Sequence, residues 1–379
     1  MLLNVEDYQH RARAKLPRFV RDYVDGAAER EICLQRNRTA LEQLVLTPRV
    51  LRDTAAVDTS VEVFGRRWKH PIAIAPMGLN GLIRPQGDVL IARAAQRHGI
   101  PFIQSTASNA RLEAVAKEAA PPWLQLYVMG DRGMAEQLVR RAAREGSEAL
   151  VLTVDVPVSG YRERDERNGF RLPFKPTLGT ALEMLTHPAW LFRAALAGAP
   201  EFVNLSETEG KGSAQAQAAL LNRTMDRSMV WDSLRWLRTL WSGPLLLKGV
   251  LHPDDAAMAL RHGVDGLIVS NHGGRQMDAA PAAITALPPV LDAVGGQVPV
   301  LVDSGFRSGT DIAKALALGA QGVLIGRPAL YGLAVDGEEG VSAVLELLAR
   351  ELTRTMTLLG AAQVSDLCHA APLVAGRTS

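Results

Sequence analysis

With 379 residues, 47% of them apolar and 22% charged, the chain is long enough for one large domain or two medium ones and too apolar to be disordered. A net charge of +2, with no basic tract interleaved with aromatics, argues against a nucleic-acid partner. The two cysteines, Cys33 and Cys368, are far apart and lack metal-ligand spacing, which points to a reducing compartment and to neither a disulfide framework nor a metal site.

The opening "MLLNVEDYQH" carries acids early and has no basic stretch leading into an apolar one, so it does not read as a secretory signal. Residues 1–70 form an N-terminal extension, with a helix near Val5–Lys15 and another around Pro17–Gly26. Short aliphatic runs then recur in order: "PIAIAPMG" from Pro71, "IPFIQST" from Ile100, "WLQLYV" from Trp123 and "ALVLTVD" from Ala149. After them come "PLLLKGV" from Pro244, "GLIVSNH" from Gly266, "VPVLVDSG" from Val298 and "GVLIGR" from Gly322. Such near-continuous apolar runs are those of parallel strands covered on both faces. Between them lie amphipathic segments such as "GDVLIARAAQRHG", "GMAEQLVRRAAREG" and "TDIAKALALGA", each stopping at or near a glycine as helices do.

Eight alternating strand–helix units predict an α/β fold of the (β/α)8 TIM-barrel type, a single domain over 1–379. The competitor, a doubly wound sheet, requires a glycine fingerprint after its first strand, and "PMGLNG" lacks the GxGxxG spacing. Residues 156–228 interrupt the repeat after strand four, as a lid or functional arm. No uncharged apolar run reaches the roughly 18 residues of a membrane-spanning helix.

In this architecture chemistry gathers at the carboxyl ends of the strands. Reading those ends gives Ser105 and Thr106, Gln125 and Tyr127, Thr153 and Asp155, Lys248, His272 with Arg275, Asp303 to Gly305 with Arg307, and Gly326 with Arg327. The glycines and arginines of "DSGFRSG" and "IGR", after strands seven and eight, sit where this fold holds phosphate. A phosphate handle beside a wide polar mouth suggests a nucleotide cofactor, and FMN suits a barrel better than NAD. Lys248 would then stabilise negative charge on a reduced flavin; the other reading, a stray barrel cation, is disfavoured by the cost of burying an unpaired ammonium. His272 suits a general base, Asp155 its orienting partner or else a turn cap before Pro157, and Arg275 a carboxylate clamp.

The segments "SNHGGRQMD", "LTVDVP", "LQLYV", "LLKGV", "VDSGFRSGTD" and "VLIGRP" together resemble the FMN-dependent L-2-hydroxy acid oxidase and dehydrogenase family, over about Val5 to Gly360. The resemblance implies a barrel that binds FMN and oxidises a 2-hydroxy acid to a 2-oxo acid. It makes His272 the base and Asp155 its partner, with Arg275 and Arg162 ("GYRERD") on the substrate carboxylate. Tyr23 ("RDYVDGAAE") and Tyr127 would bind the carboxylate and hydroxyl, the extension serving to deliver Tyr23. Ser105, Gln125, Thr153, Lys248, Asp303, Gly305, Arg307, Gly326 and Arg327 match FMN contacts, and Ala75, Pro76, Met77 and Gly78 would line the flavin through backbone groups.

Within the family, "GLNG", "STASN", "GYRERD", "LRWLR" and "DSGF" are most similar to the branch that oxidises (S)-mandelate to benzoylformate. Ala107, where a larger residue lines the pocket of glycolate-oxidising members, leaves room for a phenyl ring. Gly78, where oxidases of the family often carry alanine, leans toward a dehydrogenase that avoids oxygen; the resemblance implies that its electrons pass to a quinone. A quinone-linked L-lactate dehydrogenase, or an oxygen-using oxidase, is the alternative within the family; an FMN barrel isomerase or reductase is the alternative outside it.

Leu178–Pro200, "LGTALEMLTHPAWLFRAALAGAP", is too short and too charged to span a bilayer, but suits an apolar-faced segment lying in a membrane interface, with a packed lid as the other reading. The corresponding region of the quinone-linked relatives resembles such a segment. The expectation is therefore a cytoplasmic protein held peripherally on the inner face of the cell membrane. The resemblance also implies a homo-oligomer, a tetramer.

Overall fold

The computed structural model describes residues 1–170, 177–198, 200–204, 225–370 and 373–374. Of the insertion expected over 156–228, residues 171–176, 199 and 205–224 lie outside the described residues.

The eight strands form where the aliphatic runs stand: β1 (Ile72–Ile74), β2 (Ile103–Ser105), β3 (Trp123–Leu126), β4 (Leu150–Thr153), β5 (Leu245–Val250), β6 (Gly266–Val269), β7 (Val300–Val302) and β8 (Gly322–Ile325). All neighbours pair in parallel, in the order β1-β8-β7-β6-β5-β4-β3-β2. The ring closes between β1 and β2 through the parallel bridge Ile74–Phe102 and the bond from Ile74 N to Pro101 O, 2.9 Å. This is a TIM barrel with a helical N-terminus.

The two-residue period of each strand decides what fills it. One residue per strand forms an apolar inner layer: Ala73, Ile103, Trp123, Val151, Leu246, Ile268, Leu301 and Leu324. Their sequence neighbours, such as Leu124, Leu152, Leu247 and Val302, point outward into the larger core beneath the helices. One step further along each strand, the inward positions are Ala75, Ser105, Gln125, Thr153, Lys248, Ser270, Asp303 and Gly326. The carboxyl end of the barrel is therefore floored by polar and small groups directly above an apolar layer.

Two elements of the extension escape the sequence reading. A hairpin, Val61–Val63 with Arg66–Trp68, turns on Phe64 and Gly65, both at positive φ (51° and 70°), the geometry of a tight two-residue hairpin turn. It plugs the amino end of the barrel, where Trp68 and Phe64 pack against Trp123 at ring-centroid distances of 5.7 and 5.9 Å. A third helix, Ile32–Gln43, packs near the mouth. The expected helices are present as α1 (Val5–Lys15) and α2 (Arg18–Asp25). Asn4 caps α1, accepting from Asp7 N at 2.8 Å.

α2 is pinned at the mouth by buried Asp25. Its carboxylate accepts from Gln9 Nε2 (2.9 Å), Arg13 Nε (2.6 Å) and Tyr331 Oη (2.8 Å). Burial works against the charge, but these three donors outweigh it and hold the carboxyl below its usual range.

Candidate active site at the carboxyl end of the barrel

A cavity of about 690 Å³ opens above the polar floor. It brings together Tyr23 from α2; Ala75, Pro76, Met77 and Gly78 after β1; Ser105 and Ala107 after β2; and Tyr127 after β3. Arg162 enters from the insertion. Lys248, His272, Arg275, Asp303, Gly305, Arg307, Gly326 and Arg327 complete the wall from β5 to β8. Gln125, Thr153 and Asp155 stand one layer behind the wall. Ser105 Oγ donates to Gln125 Oε1 (3.0 Å), and Gln125 Nε2 donates to Thr153 Oγ1 (2.9 Å).

His272 follows β6 at φ 60°, a left-handed conformation rare for a residue with a side chain and found where surroundings enforce it. Its Nδ1 lies 3.1 and 3.3 Å from the two Asp155 oxygens. That contact places the ring proton on Nδ1, and so turns the lone pair of Nε2 toward Tyr127 Oη, 3.5 Å away. Burial pushes the His272 pKa down, Asp155 pulls it up, and the net direction is down: the ring is neutral and able to accept a proton. Asp155 is itself penalised by burial, yet its contact with His272 and then the Lys248 charge hold it below the ordinary carboxyl value. Gly249 makes the pair possible. The β5–β6 register shifts between Lys248 and Val250, Gly249 sits at φ 106°, and a Cβ there would lie 2.6 Å from Asp155 Cβ. Burial first, and Asp155 second, push the Tyr127 pKa up, so it remains a hydroxyl donor.

The cations fall into two classes. Lys248 is paired: its Nζ lies 3.0 Å from Asp303 Oδ2 and donates to Ser270 Oγ at 2.9 Å. The arginines are not. Among the described residues no carboxylate lies within ion-pair distance of Arg275, Arg307 or Arg327. Arg275 Nη1 donates to the carbonyls of Tyr23 (2.7 Å) and Gly26 (2.9 Å), with its guanidinium 4.9 Å over the Tyr23 ring. Arg327 donates to the carbonyls of Val24, Gly273 and Gly26, and Arg307 stacks on Tyr331. Burial lowers the pKa of Arg275 and of Arg327, and neighbouring cations add to it. Arg162 differs: it makes a long ion pair with Asp165, 3.9 Å, and among the described residues its buried Nε has no hydrogen-bond partner. Arg275, Arg307 and Arg327, collected in one pocket without carboxylate partners among the described residues, call for bound anions.

FMN fits this cavity. The strand-seven and strand-eight side supplies Gly305 (φ 98°), Arg307 and Arg327 for a phosphate; the β1 side supplies the uncharged run Ala75, Pro76, Met77 and Gly78; and Lys248 stands on the floor. Arg162 and Arg275, on the insertion and β6 side, remain for a second anion. Several wall residues went unread in the sequence: Phe170, Phe202 and Met225 from the insertion, Tyr161 and Asp165 beside Arg162, and Leu330 from the last helix. Those from the insertion lie outside the strand–helix repeat, so spacing gave no signal for them; Leu330 lies in the helix after β8, one turn beyond the strand end that the sequence reading covered.

An eight-stranded barrel with a flavin-sized, arginine-rich mouth and an Asp–His pair defines a flavin-dependent oxidoreductase class. A family profile described as FMN-dependent dehydrogenase matches residues 12–372. The chain belongs to that family and is an FMN-dependent enzyme. It is 44% identical to (S)-mandelate dehydrogenase of Pseudomonas putida, over 97% of this chain and 92% of the relative. It is 41% identical to L-lactate dehydrogenase of Alcaligenes faecalis, over 95% of this chain and 96% of the relative. Among solved structures, one described as monotopic membrane protein (S)-mandelate dehydrogenase superposes with TM-score 0.94 at 43% identity, over 98% of this chain and 99% of the other. A mandelate oxidase superposes with TM-score 0.85 at 37% identity, over 99% of each chain.

Proposed function

We propose that the protein oxidises an L-(S)-2-hydroxy acid, (S)-mandelate foremost, to the 2-oxo acid, and passes the electrons to a quinone. The observation that carries this reading is the convergence, in one pocket, of an Asp155-oriented imidazole and the guanidiniums of Arg275, Arg307 and Arg327, none of which has a carboxylate partner among the described residues. Arg162 and Arg275 bind the substrate carboxylate as a charge-assisted pair. Tyr23 lies against the carboxylate, and its hydroxyl is held by a 3.1 Å bond to Gly78 O. Tyr127 holds the substrate hydroxyl. His272 takes the proton through Nε2, and Asp155 stabilises the imidazolium that forms. Bound FMN supplies the two-electron acceptor. Ser105, Gln125, Thr153, Lys248 and Asp303 hold its ring, with Ala75, Pro76 and Met77 behind it; Gly305, Arg307, Gly326 and Arg327 hold its phosphate. Ala107 and Gly78 leave room for a phenyl substituent, which favours mandelate over lactate.

We further propose a homotetramer attached peripherally to the inner face of the cell membrane. Among the described residues no helix is long and apolar enough to cross a bilayer. The insertion helices Leu178–Leu185 and Pro188–Ala197 dock through Trp190, whose Nε1 donates to Leu82 O at 2.9 Å, and whose ring meets Phe19 edge-on at 5.6 Å. Leu178, Leu182, Leu185, Phe192 and Leu196, on the same two helices, are 58–79% exposed. An apolar face of this kind suits a membrane interface, in line with the monotopic relative.

The deciding experiment is a panel of 2-hydroxy acids, both enantiomers of each, mixed anaerobically with the FMN-loaded protein, followed by reoxidation with oxygen or a quinone analogue. Bleaching by (S)- but not (R)-mandelate, with faster reoxidation by the quinone, is expected. Bleaching by L-lactate alone moves the assignment to a lactate dehydrogenase. No bleaching by any 2-hydroxy acid would leave an isomerase or reductase and sink the proposal.

A further inference from the structure

We propose that Asp88 is a positioning residue: it locks the loop after β1 to the loop after β2, and through them sets the width of the pocket that receives the substrate side chain. The inference rests on the reading of Gly78 and Ala107 as that pocket's wall.

Asp88 lies in the first turn of the helix Gly87–Arg97, only 1% exposed and outside the cavity. Its two oxygens face different loops. Oδ1 accepts from Asn80 Nδ2 at 2.8 Å, and Asn80 Nδ2 also donates to Met77 O at 3.2 Å. Oδ2 accepts from the backbone N–H of Asn109 at 3.1 Å. The Ser108 hydroxyl, which donates to Ala110 O at 3.1 Å, also lies beside this carboxyl and favours its charge. Direct links between the loops are Gly81 N to Asn109 Oδ1 (2.9 Å) and Leu79 N to Ala107 O (3.2 Å). Where the loops meet in the cavity, a Cβ on Gly78 would come within 3.0 Å of Ala107 Cβ. The clamp extends outward: Asn109 Nδ2 donates to Glu201 O, next to the pocket residue Phe202.

A carboxylate is specifically suited to this place. Both groups it joins are donors, so the bridging side chain must accept on both ends. Asparagine is nearly the same shape but offers one acceptor and one donor. It would set an NH2 against the Asn80 amide or the Asn109 N–H and release one loop. Among the described residues no cation lies within ion-pair distance of Asp88, so its charge is held by hydrogen bonds alone. Burial raises its pKa to about 6 against those bonds. An anion kept at such cost, behind the wall and away from the chemistry, acts through what it holds.

The test uses non-oxidisable carboxylates on the FMN-loaded protein, phenylacetate and acetate, titrated by flavin difference absorbance, with KM and kcat measured in parallel. In Asp88→Asn, loss of one buried hydrogen bond should weaken phenylacetate by about tenfold or more while acetate changes by less than about threefold. The mandelate KM should rise more than kcat falls, with FMN content unchanged. The exchange Asn80→Asp with Asp88→Asn restores the bond between the two side chains but leaves Met77 O without its donor, so phenylacetate affinity should recover in part, to a value between the single variant and wild type. If Asp88→Asn does not fold, the exchange variant and Ser108→Ala carry the test, the latter with a smaller shift in the same direction. Folded variants that lose phenylacetate and acetate affinity equally, or neither, would overturn the proposal. So would a wild-type protein with no preference for phenylacetate over acetate. A wild type that binds phenylacetate but bleaches with no hydroxy acid refutes the functional reading and leaves these titrations to decide Asp88.

Discussion

Replacing Asp155 with asparagine isolates the electrostatic part of the site, because the side chain keeps its size and still reaches His272. The imidazolium that forms during turnover loses an anion whose oxygens lie 3.1 and 3.3 Å from Nδ1. For charge centres ~4 Å apart and an effective dielectric of ~20, that attraction is ~4 kcal/mol. At about 1.4 kcal/mol per decade, the rate of flavin bleaching should fall by about a thousandfold. The pH profile should move as well. Asp155 raises the His272 pKa against burial, so its removal lowers that pKa further. The base is active when neutral, so the acid limb of kcat/KM should shift to lower pH even as the plateau falls. Anaerobic stopped-flow absorbance with (S)-mandelate between pH 5 and 10 measures both. A loss under about tenfold with normal FMN content, or an acid limb that moves upward, would refute the role given to this pair.

Arg275→Met removes a pocket guanidinium while leaving bulk over Tyr23; it should raise the mandelate KM by about a hundredfold, the scale of a lost charge-assisted bond, and no change in KM would exclude it as a carboxylate ligand. Gly249→Ala should reduce turnover with little loss of FMN, since the new Cβ meets Asp155 at 2.6 Å in a backbone that disfavours side chains; activity equal to wild type would show that the Asp155–His272 contact tolerates displacement. Ala107→Trp should abolish activity on (S)-mandelate while sparing L-lactate, which a substrate panel reads directly. Replacing 178–200 by a short polar loop should move the protein from the membrane to the soluble fraction; a protein already soluble with the segment intact would end the attachment proposal.

Much of the barrel is legible in sequence because its signal repeats. Each strand is an aliphatic run, and the helices before β2, β4 and β8 are followed by the positive-φ glycines Gly99, Gly146 and Gly319. The strand ends betray the site for the same reason. The period that puts Leu246 and Ile268 in the apolar layer puts Lys248 and Ser270 one storey up, so the polar floor is the continuation of a pattern already recognised. The hairpin at Val61–Trp68 is missed because its strands are three residues each and its turn is Phe-Gly rather than a customary Asn-Gly. Phe170 and Phe202 are missed because the insertion has no period that fixes which residues turn inward.

The arginines are a different case. Sequence marks them as anion binders, yet what they hold in the structure is protein. Arg275 and Arg327 both donate to Gly26 O, and they take Tyr23 O and Val24 O as well. Those four bonds, together with Asp25 and its three donors, anchor the segment that carries Tyr23. A guanidinium has five N–H groups, so holding backbone carbonyls and holding an anion do not exclude each other. The N-terminal extension is therefore tied to the arginines that face the ligands. Charge lost at Arg327 should loosen the segment that carries Tyr23, because its Nε and Nη2 hold Val24 O and Gly26 O; on the proposed reading it should weaken FMN binding as well.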